Sequence, residues 1–155
     1  CLGPDLPLSI KWPNDLMLGE RKLGGILCEA RWSGSAPSWV AVGIGINVCN
    51  PIPATLSPTG VALAEELPWA SPDAVLEVLL PRLRALDPGS SELDEVELSR
   101  LASRDWLRGR RVCRPVEGSA DGIERDGSLR IVGDDGVITR VRAGSIELAV
   151  PSNSP

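Results

Sequence analysis

Apolar and polar positions follow two different rhythms along this chain, with the change near Arg104. Before it, short apolar runs are cut by turn clusters. Residues 6–11 read as a short strand. Trp12-Pro13-Asn14-Asp15 is a turn cluster, because Pro13 fixes φ and Asn14 and Asp15 tolerate tight backbone. Leu16-Met17-Leu18 opens a second strand and Gly19-Glu20-Arg21 is a polar tip. Residues 22–32 read as the returning strand, with Gly24-Gly25 inside it, and residues 39–48 as an apolar strand interrupted by Gly43 and Gly45. Adjacent strands with tight turns predict an antiparallel portion of a mixed sheet.

Residues 51–58 form a Pro-rich loop, and residues 59–67 can be a short helix. Ser71-Pro72-Asp73 is a helix start: a capping hydroxyl, a proline in the first turn and an acid at the positive dipole end. Leu76, Leu79, Leu80, Leu83 and Leu86 recur with helical spacing. Pro81 removes a donor inside that run, so a kink or an early end is expected there. Ser91 is the expected cap of a further helix, with Leu93, Val96 and Leu101 on one face.

Beyond Arg104 the period falls to two. Leu129 and Ile131 alternate with polar residues, as do Val137, Thr139 and Val141, and then Ile146 and Leu148. Asp126-Gly127 and Asp135-Gly136 are strong hairpin dipeptides. About forty residues of this kind predict a small β-barrel or sandwich. The expected organisation is residues 1–103 as one α+β part, residues 104–150 as the small β domain, and a frayed tail at 151–155.

Composition removes several chemistries. The 155 residues include no His, which excludes Ser-His-Asp and Cys-His nucleophiles and every His-based zinc site. Cys1, Cys28, Cys49 and Cys113 show no C-x-x-C spacing; Cys28 and Cys113 read as small buried hydrophobes of a reducing cytosol. The net charge is −5. Residues 1–103 carry seven basic and thirteen acidic side chains, and residues 104–155 carry nine and eight. That balance, with no Phe or Tyr, argues against phosphate-gripping or base-stacking on nucleic acid. No apolar run approaches the roughly 18 residues of a membrane span. The start, Cys1-Leu2-Gly3-Pro4-Asp5, has neither a basic n-region nor a Met, and reads as the middle of something larger.

Only two basic residues are Lys, Lys11 and Lys22; the rest are Arg. Lys is a compact point charge that Arg does not replace. Lys22 opens a strand and is followed by two glycines, which let a ligand approach the backbone. It can serve a carboxylate or phosphate whose charge grows in a transition state, or it can be a solvated Lys beside a β-bulge. Asp15 can orient that Lys or help with a nucleotide's Mg²⁺, or can simply form the turn. Asn47 can pair with an adenine edge, or bond its own backbone at the strand end. The Gly43-x-Gly45 pair is no dinucleotide fingerprint, since no helix follows it.

Three segments in this order, Lys11-Trp12-Pro13-Asn14-Asp15, Lys22-Leu23-Gly24-Gly25-Ile26-Leu27 and Gly43-Ile44-Gly45-Ile46-Asn47, resemble the catalytic domain of biotin–protein ligases. That family carries KWPND, K-L-[AG]-G-[IV]-L and G-[IAL]-G-[IV]-N runs. The tail, with Gly122-Ile123, Asp126-Gly127-Ser128-Leu129, Gly136 and Val141-Arg142-Ala143-Gly144, resembles the family's SH3-like C-terminal domain. The resemblance covers about residues 6–148. It implies an α+β fold: an incomplete mixed or antiparallel sheet with helices, of the class II synthetase-like kind, followed by a small SH3-like β-barrel.

The resemblance further implies a cytoplasmic enzyme that joins biotin and ATP into biotinyl-5′-AMP. The biotinyl group then passes to a lysine of the biotin carboxyl carrier domain of a carboxylase. Lys22 matches the family's essential lysine, and Asp15 would orient that site and the attacking lysine. Gly24, Gly25 and Ile26 would line biotin together with Lys22. Asn47 would contact the adenine, with Gly45, Asn14, Lys11 and Trp12 close by and Mg²⁺ arriving with ATP. A homodimer is compatible with the family's habits, and no membrane or nucleic-acid contact is expected. The family's G-R-G-R-x-G-R loop and its upstream biotin-ring residues lie N-terminal to KWPND, so this chain reads as roughly the second half of such an enzyme. Alone it is expected to be inactive or nearly so, because the adenylate would stay open to water. The rival readings are a non-catalytic remnant or binding module of the same fold, and a lipoate ligase-like enzyme, whose Arg/Gly- and His-bearing stretch is absent.

Overall fold

Alternation, turns and glycines in the first hundred residues build a meander. In the computed structural model, which describes residues 6–34, 36–86 and 92–149 and of Ala36 and Pro37 only the backbone, four strands form one sheet. They are β1 (Leu8–Lys11), β2 (Asp15–Leu18), β3 (Arg21–Ser33) and β4 (Ala36–Ile46), in that spatial order. β2 pairs antiparallel with β3 and β3 with β4. The β2–β3 register slips between Leu16 and Met17, which face Gly24 and Lys22 and leave Leu23 extra on β3. Such a bulge re-aims the side chains around it. Leu23 turns into the core while Lys22 stays exposed.

Contacts divide the chain into two compact units. The first gathers the described residues of Cys1–Ser9 and Asn14–Asp87, the second those of Ile10–Pro13 and Pro88–Pro155. Leu18, Leu23, Val48, Val61, Leu63, Ala70 and Val75 form the first core. Helix α1 (Pro72–Arg84) packs Val75 there and starts as its sequence demands, Ser71 accepting from the Ala74 N–H at 3.2 Å. It does not end early: Pro81 lies inside it, and α1 stops a turn later. Its periodic Leu76 and Leu80 are exposed.

The expected helix over residues 59–67 shrinks to a single 3-10 turn, Leu63–Glu65. The backbone groups a helix would use internally are committed elsewhere. Thr59 O accepts from Lys22 N–H, Val61 N–H donates to Lys22 O, and Leu63 and Ala64 N–H donate to Asn47 and Val48 O. Strand pairing has overridden local preference.

In the second unit, β5 (Arg111–Arg114), β6 (Gly118–Ile123), β7 (Leu129–Val132), β8 (Ile138–Val141) and β9 (Glu147–Leu148) form a five-stranded sheet in the order β8-β7-β6-β5-β9. Buried and exposed residues alternate along β6 and β7. Gly127 and Gly136 sit at φ 77° and 79°, where only glycine rests without strain. The core holds Trp12, Leu107, Val112, Ala120, Leu129, Ile131, Val141 and Ile146. Helix α2 (Glu95–Ala102) groups with this unit, although it precedes the expected boundary at 103/104. Its cap is Asp94, in a capping box with Glu97, rather than Ser91, which lies outside the described residues together with the tail at 151–155 and the start at 1–5. Among the described residues no helix is long and apolar enough to cross a membrane.

Candidate functional site

The site begins at the bulge. Lys22 is locked by its main chain, with N–H to Thr59 O at 2.7 Å and O to Val61 N–H at 3.0 Å. Its Nζ lies 2.5 Å from Asp15 Oδ1, their side chains 51% and 23% exposed. An ion pair this accessible adds little stability. Its use is geometric: the carboxylate takes one of three ammonium donors and leaves the others for a ligand.

Around Lys22 opens a cleft of about 500 Å³ lined by Gly24, Gly25, Gly45, Ile46 and Asn47 of the sheet and its end. Asn50, Ile52, Pro53, Leu56, Thr59 and Gly60 of the following loop complete the lining. That size suits a small organic ligand. The strands meet face to face without side chains: a Cβ on Gly24 would lie 2.1 Å from Gly45 O. Asn47 closes the strand end. Its N–H donates to Leu23 O at 2.9 Å, its O accepts from Leu63 N–H at 2.8 Å, and its Oδ1 accepts from Asn50 Nδ2 at 3.2 Å. Arg21 ties the start of β3 to the 3-10 turn through Glu65, at 2.8 Å. The Ala62 N–H, and then Arg21, hold the Glu65 carboxyl below its ordinary range. The arrangement offers a cation, bare backbone, the amides of Asn47 and Asn50 and the apolar Ile52, Pro53 and Leu56: a set that suits an anion-bearing small molecule.

Of the residues expected at the site, Lys22, Gly24, Gly25, Gly45 and Asn47 come together in this cleft and Asp15 joins through Lys22. Asn14 contributes its carbonyl, which accepts from Ile26 N–H at 2.8 Å; Ile26 itself is half-buried opposite Ile44 and not on the wall. Lys11 and Trp12 are not on the wall either. Both group with the second unit, where Trp12 is core and its Nε1 donates to Gly127 O at 2.9 Å. Lys11 Nζ stands 5.5 Å over the Trp106 ring, which Arg110 also covers.

The loop residues of the lining, within 50–60, are not among those the sequence motifs point to. Ile52 and Leu56, apolar residues in a loop otherwise rich in proline, were the available signal. Among the described residues no group of three or more Cys, Asp or Glu gathers as a metal site. Cys28 and Cys49 are free and exposed and Cys113 half-buried. For Cys28 this corrects the expected burial: β3 beyond Ile26 is exposed throughout.

Fold and cleft together place a strand-borne lysine at a cleft whose size and charge suit an anionic small molecule. Residues 3–47 match the Biotin/lipoate A/B protein ligase family. The chain is 30% identical to a biotin–[acetyl-CoA-carboxylase] ligase of Paracoccus denitrificans, over 88% of its own length and 58% of that protein. Its fold is similar to that of a biotin protein ligase from Aquifex aeolicus, with TM-score 0.73, 26% identity, and 94% of this chain and 67% of that one covered. The same relative in complex with biotin and ATP gives TM-score 0.71 at 26% identity, over 94% and 63% of the two chains. In sequence and in fold this chain is similar to biotin–protein ligases. It spans a little over half the length of the Paracoccus relative.

Proposed function

We propose that this chain carries the activation cleft of a biotin–protein ligase. Biotin's carboxylate attacks the α-phosphorus of ATP, pyrophosphate leaves, and biotinyl-5′-AMP remains. An amine of a biotin carboxyl carrier domain then attacks the acyl carbon, an amide forms, and AMP leaves. Negative charge moves between carboxylate and phosphate oxygens in both steps. Lys22 serves that charge, and a preorganised donor of this kind contributes about 3–4 kcal/mol, or 10²–10³ in rate. Asp15 orients Lys22 and the incoming amine. Gly24 and Gly25 lie along biotin, with Ile26 behind them on β3 and off the wall, while Asn47 and Gly45 lie along the adenine and Asn14 supports them from the turn. Mg²⁺ is part of the nucleotide substrate. Lys11 and Trp12 have no place in this proposal. The setting is the cytoplasm, where ATP and carrier proteins meet.

The observation that carries the reading is the Lys22–Asp15 pair at 2.5 Å in a cleft walled by glycine backbone and ended by Asn47. The likeness to an Aquifex aeolicus ligase in complex with biotin and ATP supports it. The chain contains no G-R-G-R-x-G-R run, so its own turnover is expected near background. A non-hydrolysable biotinyl-5′-AMP analogue is therefore the probe. Calorimetry should show it binding the chain and losing about 10²-fold or more in affinity on Lys22→Ala. Equal binding to both proteins overturns the assignment.

A further inference from the structure

Asn47 is held by its main chain on both sides, to Leu23 O at 2.9 Å and from Leu63 N–H at 2.8 Å. The freedom left to it is its side chain. The last torsion of an Asn is roughly two-fold, so oxygen and nitrogen can exchange places with little change of shape. A neighbouring donor or acceptor decides which way the amide faces. Here the neighbour is Asn50, three residues on and also lining the cleft, whose Nδ2 donates to Asn47 Oδ1 at 3.2 Å.

We infer that Asn50 is a positioning residue: it fixes the Asn47 amide so that the cleft selects adenine over a 6-oxopurine. The inference rests on the reading of Asn47 as the adenine contact. With Oδ1 held by Asn50, the NH₂ group of Asn47 is the donor for a purine ring nitrogen. Adenine offers unprotonated N1 and N7 together with a 6-amino donor, which complement one orientation of an amide. Hypoxanthine carries N1–H and O6 instead, so its Watson–Crick edge needs the opposite orientation, and its O6 has no donor to give the amide oxygen. A fixed amide therefore discriminates, whereas a freely turning one does not.

Asn50→Asp tests this without a change of size. A carboxylate only accepts, so Asn47 must turn its NH₂ toward residue 50 and its oxygen toward the base. Adenosine and inosine, both uncharged, keep the new charge from acting on phosphates. Calorimetry on wild type should favour adenosine. The adenosine-to-inosine affinity ratio should fall about fivefold to tenfold in Asn50→Asp, the worth of one reoriented hydrogen bond, with Asn50→Ala between them. A fold defect would lower both affinities and leave the ratio alone. An unchanged ratio overturns the inference. The pairing is also read without ligand: the side-chain ¹⁵N resonance of Asn47 should move in Asn50→Asp, and an unmoved resonance overturns it too. Wild type that binds neither nucleoside, with the Asn47 resonance still responding, would overturn the adenine reading while the Asn47–Asn50 pairing stands.

Discussion

The two sheets of this chain use their strands differently. In the second unit β6 and β7 alternate strictly, and Leu107, Val112 and Leu129 are fully closed to water. In the first, β3 runs for thirteen residues but contributes Leu23 alone to the core. Beyond its first turn of pairing, Leu27, Trp32, Trp39, Val40 and Val42 of β3 and β4 are about half exposed or more. One sheet is built to pack. The other is built to carry a bulge, a cation and bare backbone at one end of a long ribbon. Packing asks for side chains that fill space; a ligand wall asks for side chains that are missing or charged.

The sharpest way to break that comparison pits one leucine against another. Leu129→Ala should destabilise the protein by about 2–5 kcal/mol, because it opens a cavity in a closed core, whereas Leu27→Ala, at a residue 60% exposed, should stay within about 0.5 kcal/mol. Chemical denaturation followed by tryptophan fluorescence measures both. Comparable losses would mean the ribbon is a packed element after all. Lys22→Ala comes next, with about 3–4 kcal/mol of ligand binding or rate removed and little stability, since its ion pair is accessible. A matching drop in the unfolding midpoint would turn Lys22 into a structural residue. Gly24→Ala should cost about 1–3 kcal/mol, because its methyl would meet Gly45 O and the two strands would have to part; an unaltered midpoint would show that they separate freely.

The smallest effects are in pH, and they have opposite signs within the second unit. Hydrogen bonds from Ser128 Oγ and N–H hold the Asp126 carboxyl below the ordinary 3.8. Its stabilisation is present above 3.8 and lost as pH falls through the lower folded value. Burial pushes Asp105 the other way, above 3.8. Its contribution is full below 3.8 and lost as pH rises through the higher folded value. Thermal midpoints between about pH 3 and 6 should therefore flatten on the acid side in Asp126→Asn and on the other side in Asp105→Asn. The reverse assignment would show that the turn at Asp126 or the burial at Asp105 is not as described.

What could be read from sequence follows the same division. The period of two over β6 and β7 and the Asp-Gly turns are local signals, and the second unit obeys them. Val137 departs, exposed where Val141 is buried, because β8 begins only after it. In the first unit Lys22, Gly24, Gly25, Gly45 and Asn47 were legible as a group through the family resemblance, since a lysine before paired glycines also reads as a solvated residue beside a β-bulge, and the bulge is there. Residues 50–60 were not. Their place depends on Lys22, whose main chain bonds Thr59 and Val61 almost forty residues on, and on the bond from Leu63 N–H to Asn47 O that closes the loop, and no short window contains both. The helix expected over 59–67 fails for the same reason: Thr59 and Val61 bond the main chain of Lys22, and Leu63 and Ala64 that of Asn47 and Val48. Trp12 misled in the other direction. It sits inside a ligand-family motif yet packs as core, and only its bond to Gly127 O reveals that.

The contact between Gly24 and Gly45 has an implication for anyone wishing to alter what this cleft accepts. A wall made of main chain has a one-letter alphabet: it persists only while Gly24 stays glycine, and it offers no side chain to vary. Redesign, by selection or by hand, has to be written on the rest of the lining, where Ile52, Leu56 and Thr59 are ordinary side chains that can be exchanged one at a time.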